Sequence, residues 1–375
     1  MTYRVGIIGT GADPQHRDRD GFAMAYRHAP GYARLDACEV VACADIVPEH
    51  AEAFAQHFDL DHWYDSHQAM LDDVDLDIVS ICVPPGAHAD LVTDCAERGD
   101  LAAIHCEKPM ATTWGDCRSM VDASEANDVQ LTIGHQRRFA APVRAATDRL
   151  ESGVIGELSR LEWSEANLFD AGSHLFDLCD HFTGGARPAW ALAGVATDPD
   201  NRWFGALNDV QAIATWGYDD GTLGVASTGE DDRPTAVEPY LRVVGTEGTI
   251  EIDPPDGPPL RIETGDGWRP IDTDGETIYR PATSLARSAT NRVLDAMPGV
   301  ATSLSGPPSH FDRAIEHVIE SLTRGTEPVI AGRRALRGTE LIFACYESAR
   351  RQNRVDLPLS IEDNPLETMV EKATS

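Results

Sequence analysis

The sequence predicts an α/β protein in which an N-terminal doubly wound parallel sheet is followed by a C-terminal α+β domain with a large open, mostly antiparallel sheet. Two observations support this prediction. In the first third of the chain, uninterrupted apolar runs alternate with alanine-rich stretches, which is typical of a parallel sheet covered on both faces. From about residue 150 onward, strand-like segments are joined by tight Asp-Gly and Glu-Gly turns, which are typical of antiparallel hairpins.

The length of 375 residues exceeds what a single hydrophobic core ordinarily serves, so we expect two domains. The change in pattern places the first domain at 1–135 and the second at 136–360, followed by a polar tail at 361–375. An apolar content of 42% is normal for a globular protein and is sufficient for a sizeable core.

Five strands are expected in the first domain, because five apolar runs end in glycine, acidic or proline residues. They are YRVGIIGTG (3–11), CEVVACAD (38–45), DIVSICVPP (77–85), LAAIHCEKP (101–109) and part of QLTIGHQRRF (130–139). Ligands of open parallel sheets bind at the carboxyl ends of the strands. Gly9, Asp45, Pro84 and Lys108 are therefore candidates for a binding site.

The second domain is expected to hold a mostly antiparallel sheet and two amphipathic helices. The strand candidates are GELSRLEWSEA (156–166), DVQAIATWGYDDGTLGVASTG (209–229), YLRVVGTEGTIEID (240–253) and PLRIETGDGW (259–268). The helix candidates are HFDRAIEHVIESLTRG (310–325) and ALRGTELIFACYESARRQ (335–352). Residues 254–309 are rich in Pro, Gly, Asp and Ser, so loops are expected there.

The chain is strongly acidic and almost free of lysine. It has 62 acidic and 31 basic residues, a net charge of -31, and only two lysines, Lys108 and Lys372. This favours a surface adapted to concentrated salt over an acidic interaction patch, because a patch would not require lysine to be lost everywhere. Nucleic acid and anionic membranes are not expected as partners, since their phosphates would be repelled.

A cytoplasmic location is expected. The N-terminal segment lacks the basic and apolar regions of a signal peptide, and no apolar run is long enough to span a membrane. The eight cysteines include no C-x-x-C pair, and Cys43, Cys82 and Cys106 lie in apolar runs. They are interpreted as buried, reduced thiols.

GTGADP, which follows the first strand, predicts a dinucleotide site at Gly9, Thr10 and Gly11. Pro14 breaks the G-x-G-x-x-G pattern, but the turn opens a repeated strand–helix pattern. Asp45 ends the second strand, where an acid binds the ribose hydroxyls of NAD and repels the 2′-phosphate of NADP. It could also cap the next helix. NAD is therefore expected, with NADP possible if Arg17 or Arg19 in the 12–21 loop reaches a phosphate.

The motifs VSICVPPGAHADL, CEKPMA, GHQRRFAAPV, LESGVIGEL, FDAGSHLFDL and VVGTEGTIEID occur in this order along nearly the whole chain. Together they resemble the glucose–fructose oxidoreductase / inositol dehydrogenase / MocA family of sugar and polyol dehydrogenases. The resemblance implies an NAD(P)-binding Rossmann domain and a substrate-binding α/β domain. It also implies that the open sheet of the second domain forms the interface of a homo-oligomer, a dimer or tetramer.

The resemblance implies that Lys108, Asp170 and His174 are catalytic. Residues four apart share a helix face, so Asp170 and His174 could point at one substrate carbon. His174 titrates near neutrality and could accept the alcohol proton while hydride leaves for the nicotinamide. The Lys108 ammonium could stabilise the developing alkoxide, a role for which the wide guanidinium of arginine is unsuited. We expect these three groups to converge beside the nicotinamide.

In the family, residues at the positions of Pro84, His88 and Glu107 lie near the nicotinamide, and those at Gln136 and Arg137 line the cleft. A domain-interface ion pair is an alternative role for Arg137 or Arg138. The connection between Ser159 and Asp170 is shorter than in many members, which implies a wider pocket. Its polar candidates are Glu165 and Asn167.

Three alternatives remain open at the level of sequence. Asp170, His174, Asp177 and His181 fall on one helical face and could bind a divalent metal, although no metal is expected. An NAD-retaining glycoside hydrolase of the same family would show no net NADH production. A non-catalytic dinucleotide-binding sensor would tolerate loss of the Lys–Asp–His set, which this chain retains.

Overall fold

The structure is a computed structural model, and it describes residues 2–14, 23–229, 236–280 and 307–374. Arg17 and Arg19, the predicted alternative phosphate ligands, lie outside these residues. The described chain divides into two compact units. The first comprises 2–112, 116–136 and 307–333, and the second comprises 113–115, 137–280 and 334–374.

The sheet of the first unit is parallel throughout and has six strands in the order β3-β2-β1-β4-β5-β6. The strands are β1 (Tyr3–Ile8), β2 (Cys38–Ala44), β3 (His62–Tyr64), β4 (Ile78–Ile81), β5 (Ala103–Cys106) and β6 (Gln130–Ile133). This order confirms the doubly wound parallel sheet. The sequence analysis missed β3, because this three-residue edge strand is mostly exposed and has no apolar run.

The helices of the first unit cover the sheet. They are α1 (Ala25–Ala33), α2 (Pro48–Phe58), α3 (His67–Asp73), α4 (His88–Glu97), α5 (Trp114–Ala126) and, from the far end of the chain, α8 (His310–Arg324). Ile315 and Ile319 of α8 belong to the same core as Tyr32 of α1 and Ile7 of β1. The expected domain 136–360 therefore differs from the observed division, in which 307–333 belongs to the first unit.

The sheet of the second unit has nine strands in the order β14-β13-β12-β11-β7-β10-β9-β8-β15, and only the β7–β10 pair is parallel. This confirms the open, mostly antiparallel sheet. The strands are β7 (Leu158–Glu165), β8 (Pro188–Trp203), β9 (Ala206–Tyr218), β10 (Leu223–Gly229), β11 (Leu241–Gly245), β12 (Thr249–Ile252), β13 (Leu260–Glu263), β14 (Trp268–Pro270) and β15 (Val355–Asp356).

The remaining helices are α6 (Ala141–Glu151), α7 (Ser173–Phe182), α9 (Gly332–Arg351) and α10 (Pro365–Thr374). Short 3₁₀ helices span Pro85–Ala87 and Gln136–Phe139. Helix α7 packs on the sheet through Phe176, whose ring centroid lies 5.0 Å from those of both Trp163 and Trp216. A hydrophobic core thus fixes the helix that carries His174, one of the predicted catalytic residues.

The prediction of a polar tail at 361–375 was wrong. Residues 365–374 form helix α10, which packs against β8 and β9. Leu366 and Val370 lie four residues apart and are both buried, so this short helix presents one apolar face to the sheet. Glu367 and Thr368, which lie between them, are polar and concealed this periodicity in the sequence.

Within the described residues, no helix combines the length and the apolar character needed to cross a bilayer. All eight cysteines lie in described parts of the chain, and none of them forms a disulfide. Cys43 and Cys106 are buried and Cys82 is partly buried.

Candidate active site

The predicted glycine turn follows β1 directly. Gly9 and Gly11 have φ angles of 84° and 64°, in the left-handed region that side chains rarely adopt. A Cβ at Gly9 would lie 2.4 Å from Cγ1 of Val83, so only glycine fits where β1 approaches the end of β4. The turn therefore brings backbone close to the carboxyl edge of the sheet, where a pyrophosphate needs it.

Asp45 lies directly after β2 and is joined to this turn. Its Oδ2 accepts hydrogen bonds from the backbone N–H of Gly11 at 2.9 Å and from the hydroxyl of Thr10 at 3.2 Å. Its Oδ1 accepts from the N–H of Val47 at 2.9 Å, next to the start of α2. The N-cap of α2 is Val47 and no side chain caps this helix end, so the capping alternative for Asp45 was wrong.

His88, which the family resemblance places near the nicotinamide, is the first residue of α4. Its ring is fully buried, with Nδ1 2.8 Å from the carbonyl oxygen of Pro109 and Nε2 2.8 Å from that of Val83. Burial lowers the pKa of His88, although these carbonyl contacts oppose the shift. His88 thereby joins the loops after β4 and β5. Pro84, in the same loop, is exposed.

Glu107 and Lys108 follow β5. Glu107 is buried, and its Oε2 accepts a hydrogen bond from the backbone N–H of Lys108 at 3.2 Å. The side chain of Lys108 is partly exposed. Gln136, after β6, is buried, and its Oε1 has no hydrogen-bond partner in the structure. It therefore offers an acceptor to a ligand N–H group.

In the second unit, Asp170 and His174 do not share one regular helix as predicted. Asp170 lies in the turn that precedes α7, and the helix begins only at Ser173. The hydroxyl of Ser173 donates to the carbonyl oxygen of Asp170 at 2.9 Å, which closes this turn. Both Asp170 and His174 are buried.

Two neighbouring residues at the start of β9 hold this turn, and the sequence analysis missed both. The side-chain oxygen of Asn208 accepts from the N–H of Asp170 at 3.1 Å, and Asp209 accepts from that of Leu168 at 2.8 Å. Asp209 also accepts from the hydroxyls of Tyr346 and Thr228. Burial raises the pKa of Asp209, although these donors oppose the shift.

The other two members of the predicted metal alternative are engaged elsewhere. The guanidinium of Arg138 donates to both carboxylate oxygens of Asp177, at 2.6 and 2.7 Å, in a buried pair. His181 lies 2.8 Å from the hydroxyl of Thr147, and burial lowers its pKa to about 4. No cluster of metal-ligating side chains is found in the described parts of the chain. The sequence left open an ion pair of Arg138 at a domain interface. The observed pair with Asp177 lies within the second unit instead.

Arg137 lies in an aromatic cluster formed with Tyr240, Tyr279 and Glu165. Its guanidinium carbon is 5.4 Å from the ring centroid of Tyr240 and 4.9 Å from that of Tyr279. It donates to the hydroxyl of Tyr240 at 2.7 Å, and the hydroxyl of Tyr279 donates to Glu165 at 2.5 Å. The two tyrosines are far from Arg137 in sequence, so no local motif indicated them.

Asn167 is fully buried before α7. Its Oδ1 accepts from the N–H of Ala171 at 3.0 Å, but its Nδ2 has no hydrogen-bond partner in the structure. A buried amide without a partner is costly unless a ligand or water supplies one. Asn167 is therefore equipped to donate to a substrate oxygen.

The first unit fits a dinucleotide on three observations. The turn at Gly9 leaves no room for a side chain, Asp45 accepts from Gly11 beside it, and buried Gln136 retains an unused acceptor. The glycine turn would hold the pyrophosphate, and Asp45 would bind the hydroxyls of a ribose. Gln136 would accept a hydrogen bond from an amide N–H group of the dinucleotide.

A parallel sheet that ends in such a turn defines a class of α/β proteins that bind dinucleotides. Within this class, the chain belongs to the Gfo/Idh/MocA oxidoreductase family. Residues 3–135 match the family's NAD-binding Rossmann fold, and residues 160–357 match its C-terminal alpha/beta domain. The predicted family is thereby confirmed.

Curated relatives and a solved structure agree with this assignment. The chain is 29% identical to the rhizopine catabolism protein MocA of Rhizobium meliloti, over 68% of this chain and 80% of that protein. It is 26% identical to D-apiose dehydrogenase of Paraburkholderia graminis, over 88% of this chain and 86% of that protein. An oxidoreductase from Agrobacterium radiobacter, solved with NAD+, L-tartaric acid and magnesium, shares the fold with a TM-score of 0.72. The similarity covers 95% of this chain and 98% of that one, at 20% sequence identity.

Proposed function

We propose that the protein is an NAD-dependent dehydrogenase that oxidises a hydroxyl-bearing carbon of a sugar, polyol or related compound. The observation that carries the proposal is Lys108 at the carboxyl edge of the sheet, in a chain with only two lysines. The relative named D-apiose dehydrogenase supports this substrate class.

Each catalytic residue has a distinct proposed role. NAD held by the glycine turn and Asp45 would supply the hydride acceptor. The Lys108 ammonium donates to the substrate oxygen and stabilises the negative charge that develops there. The His174 imidazole accepts the hydroxyl proton, and Asp170 orients either a substrate hydroxyl or that imidazole. The turn held by Asn208 and Asp209 would keep the Asp170 backbone fixed.

The substrate is proposed to meet Asn167 and the Arg137 cluster. The unused Nδ2 of Asn167 is a donor for a substrate oxygen. Tyr279 is 58% exposed and offers a ring face for the C–H surface of a sugar. Arg137 and Glu165 provide a donor and an acceptor beside this ring.

We propose that the protein is a homo-oligomer, a dimer or tetramer, that uses the outer face of the nine-stranded sheet. Leu192, Ile213 and Leu223 lie on this one face of β8, β9 and β10, and are 44%, 60% and 42% exposed. Apolar side chains on one sheet face favour burial against a second copy.

A cytoplasm rich in salt is the proposed location. The free thiols of all eight cysteines support a reducing compartment. The net charge of -31 supports concentrated salt, in which carboxylates keep a protein solvated.

The proposal is tested by incubating the protein in high salt with NAD or NADP and a panel of sugars and polyols, and following reduced nicotinamide by absorbance. Net reduction with a sugar or polyol is the expected result. Release of an aglycone without net reduction would instead favour the hydrolase, and dinucleotide binding without turnover on any substrate would favour the sensor.

A further inference from the structure

A buried histidine on α1 contacts the carboxylate next to the proposed catalytic lysine. Nε2 of His28 lies 2.9 Å from Oε1 of Glu107, and the two residues are 2% and 5% exposed. Both belong to the first unit. The proposed reaction gives His28 no role.

Glu107 is held at both carboxylate oxygens. Oε1 contacts His28, and Oε2 accepts from the backbone N–H of Lys108 at 3.2 Å. A Cβ added to Gly134 would lie 3.0 Å from Oε1, so the chain after β6 packs closely against the carboxylate. Glu107 therefore links His28 to the backbone of Lys108.

His28 is fixed in turn by β4. Its Nδ1 lies 2.8 Å from the hydroxyl of Ser80 and 3.4 Å from Sγ of Cys82. The ring of His105 lies 5.1 Å away, and burial together with the charge of His28 lowers the pKa of His105 to about 3. A second positive charge beside His28 is therefore disfavoured.

The charge states of His28 and Glu107 match. Burial would lower the pKa of His28, but Cys82 and Glu107 outweigh it and raise the pKa to about 10. Burial would raise the pKa of Glu107, but the hydrogen bond and charge of His28 outweigh it and lower the pKa. Contact with Glu107 thus favours the protonated form of His28, and contact with His28 favours the ionised form of Glu107.

We propose that His28 is a positioning residue for Lys108, acting through Glu107. The ion pair holds the Glu107 carboxylate so that its second oxygen fixes the Lys108 backbone, and thereby the start of the side chain that carries the ammonium. This inference rests on the proposed function, in which Lys108 meets the substrate oxygen. A displacement of about 1 Å at a reacting group can cost about a hundredfold in rate.

The first test needs neither cofactor nor substrate. In ¹⁵N NMR spectra of the protein alone, the His28 ring is expected to remain doubly protonated at pH 8 and to become neutral in the Glu107→Gln variant. The backbone amide resonance of Lys108 is expected to shift in His28→Asn and much less in His28→Gln. The glutamine amide can replace Nε2, whereas the shorter asparagine cannot. A neutral His28 ring in the native protein, or an unmoved Lys108 amide in both variants, would overturn the proposal.

The second test measures kcat and KM with the best substrate of the sugar and polyol panel. His28→Asn should lower kcat about 10- to 100-fold, with little change in the KM for NAD, and His28→Gln should recover much of the loss. His67→Asn, an exchange on α3, is the matched control and should have no effect. Equal kcat values for His28→Asn and the native protein would overturn the inference.

A double-mutant comparison separates positioning from general destabilisation. Adding His28→Asn to Lys108→Ala should cause no further loss of kcat, since the group that His28 positions is already absent. An equal loss in both backgrounds would show a general structural role and overturn the inference alone. Full turnover by Lys108→Ala would overturn the proposed function and the inference with it.

Discussion

The carboxylate of Asp45 accepts a hydrogen bond from the backbone N–H of Gly11, with 2.9 Å between Oδ2 and N. The acid at the end of β2 is thereby tied to the glycine turn that follows β1. A negative charge at this position binds ribose hydroxyls and repels a 2′-phosphate. This relationship leads to a prediction on cofactor choice.

Asp45→Asn is expected to raise the ratio of kcat/KM for NADP to that for NAD by about tenfold or more, because the repulsion of the 2′-phosphate is removed. Steady-state kinetics with both dinucleotides measure this ratio. Glu49→Gln removes one charge from the exposed first turn of α2 nearby and serves as the control. An unchanged ratio in Asp45→Asn would show that Asp45 does not determine cofactor choice.

Lys108→Arg is expected to retain dinucleotide binding and to lose most turnover, by about a hundredfold or more. Arginine keeps the positive charge but replaces the compact ammonium with a wide, planar guanidinium. Lys372→Arg exchanges the only other lysine of the chain and is the matched control, with native turnover expected. An unimpaired rate in Lys108→Arg would count against the proposed mechanism.

The pair of His28 and Glu107 predicts a specific pH dependence of stability. The lowered pKa of Glu107 gives stabilisation that is present above the ordinary value of 4.5 and is lost on acidification. The raised pKa of His28 gives stabilisation that is complete below the ordinary 6.5 and is lost as the pH rises toward about 10. Both contributions are therefore complete only between about pH 4.5 and pH 6.5.

Glu107→Gln should accordingly lower the free energy of unfolding most at about pH 5.5, by about 3–5 kcal/mol, and progressively less toward about pH 10. Denaturant unfolding of both proteins across this pH range gives the difference. Glu97→Gln, an exposed exchange on α4, is the control and should change little at any pH. A difference that grows with rising pH would refute the ion pair.

Ile213→Asp is expected to reduce the oligomer to smaller species, because it places a charge in the centre of the exposed apolar face formed with Leu192 and Leu223. Analytical ultracentrifugation in high salt measures the assembly. Exchange of exposed Glu157 at the start of β7 for Gln is the control. A native protein that sediments as a monomer would refute the proposed interface.

The parallel sheet and the glycine turn could be predicted from sequence because their signals are local. Strand β4 (Ile78–Ile81) is buried along its whole length and is apolar apart from Ser80. Strand β8 (Pro188–Trp203) was missed although its first half is apolar, because its second half is polar and contains Pro199. Likewise, nothing local shows that Ile315 of α8 packs against Gly31 of α1, far away in the chain.

The residues of the candidate site also differ in whether a local sequence signal reveals them. Lys108, Asp170 and His174 could be named because they lie in short motifs, but their supports could not. His28 meets Glu107 across 79 positions, and Tyr240 meets Arg137 across 103. Such contacts depend on tertiary packing, which no spacing in the sequence encodes. The contacts of His88 could not be predicted for the same reason, since the backbone carbonyls beside its ring come from two separate loops.

The central claim is that this protein transfers a hydride between a substrate carbon and nicotinamide. The most direct measurement is mass spectrometry of the dinucleotide after reaction of the protein and NAD with carbon-deuterated sugars and polyols in high salt. The account predicts reduced nicotinamide that carries one deuterium, formed in equal amount with the oxidised product. Bound dinucleotide that remains free of deuterium with every compound of the panel would contradict it.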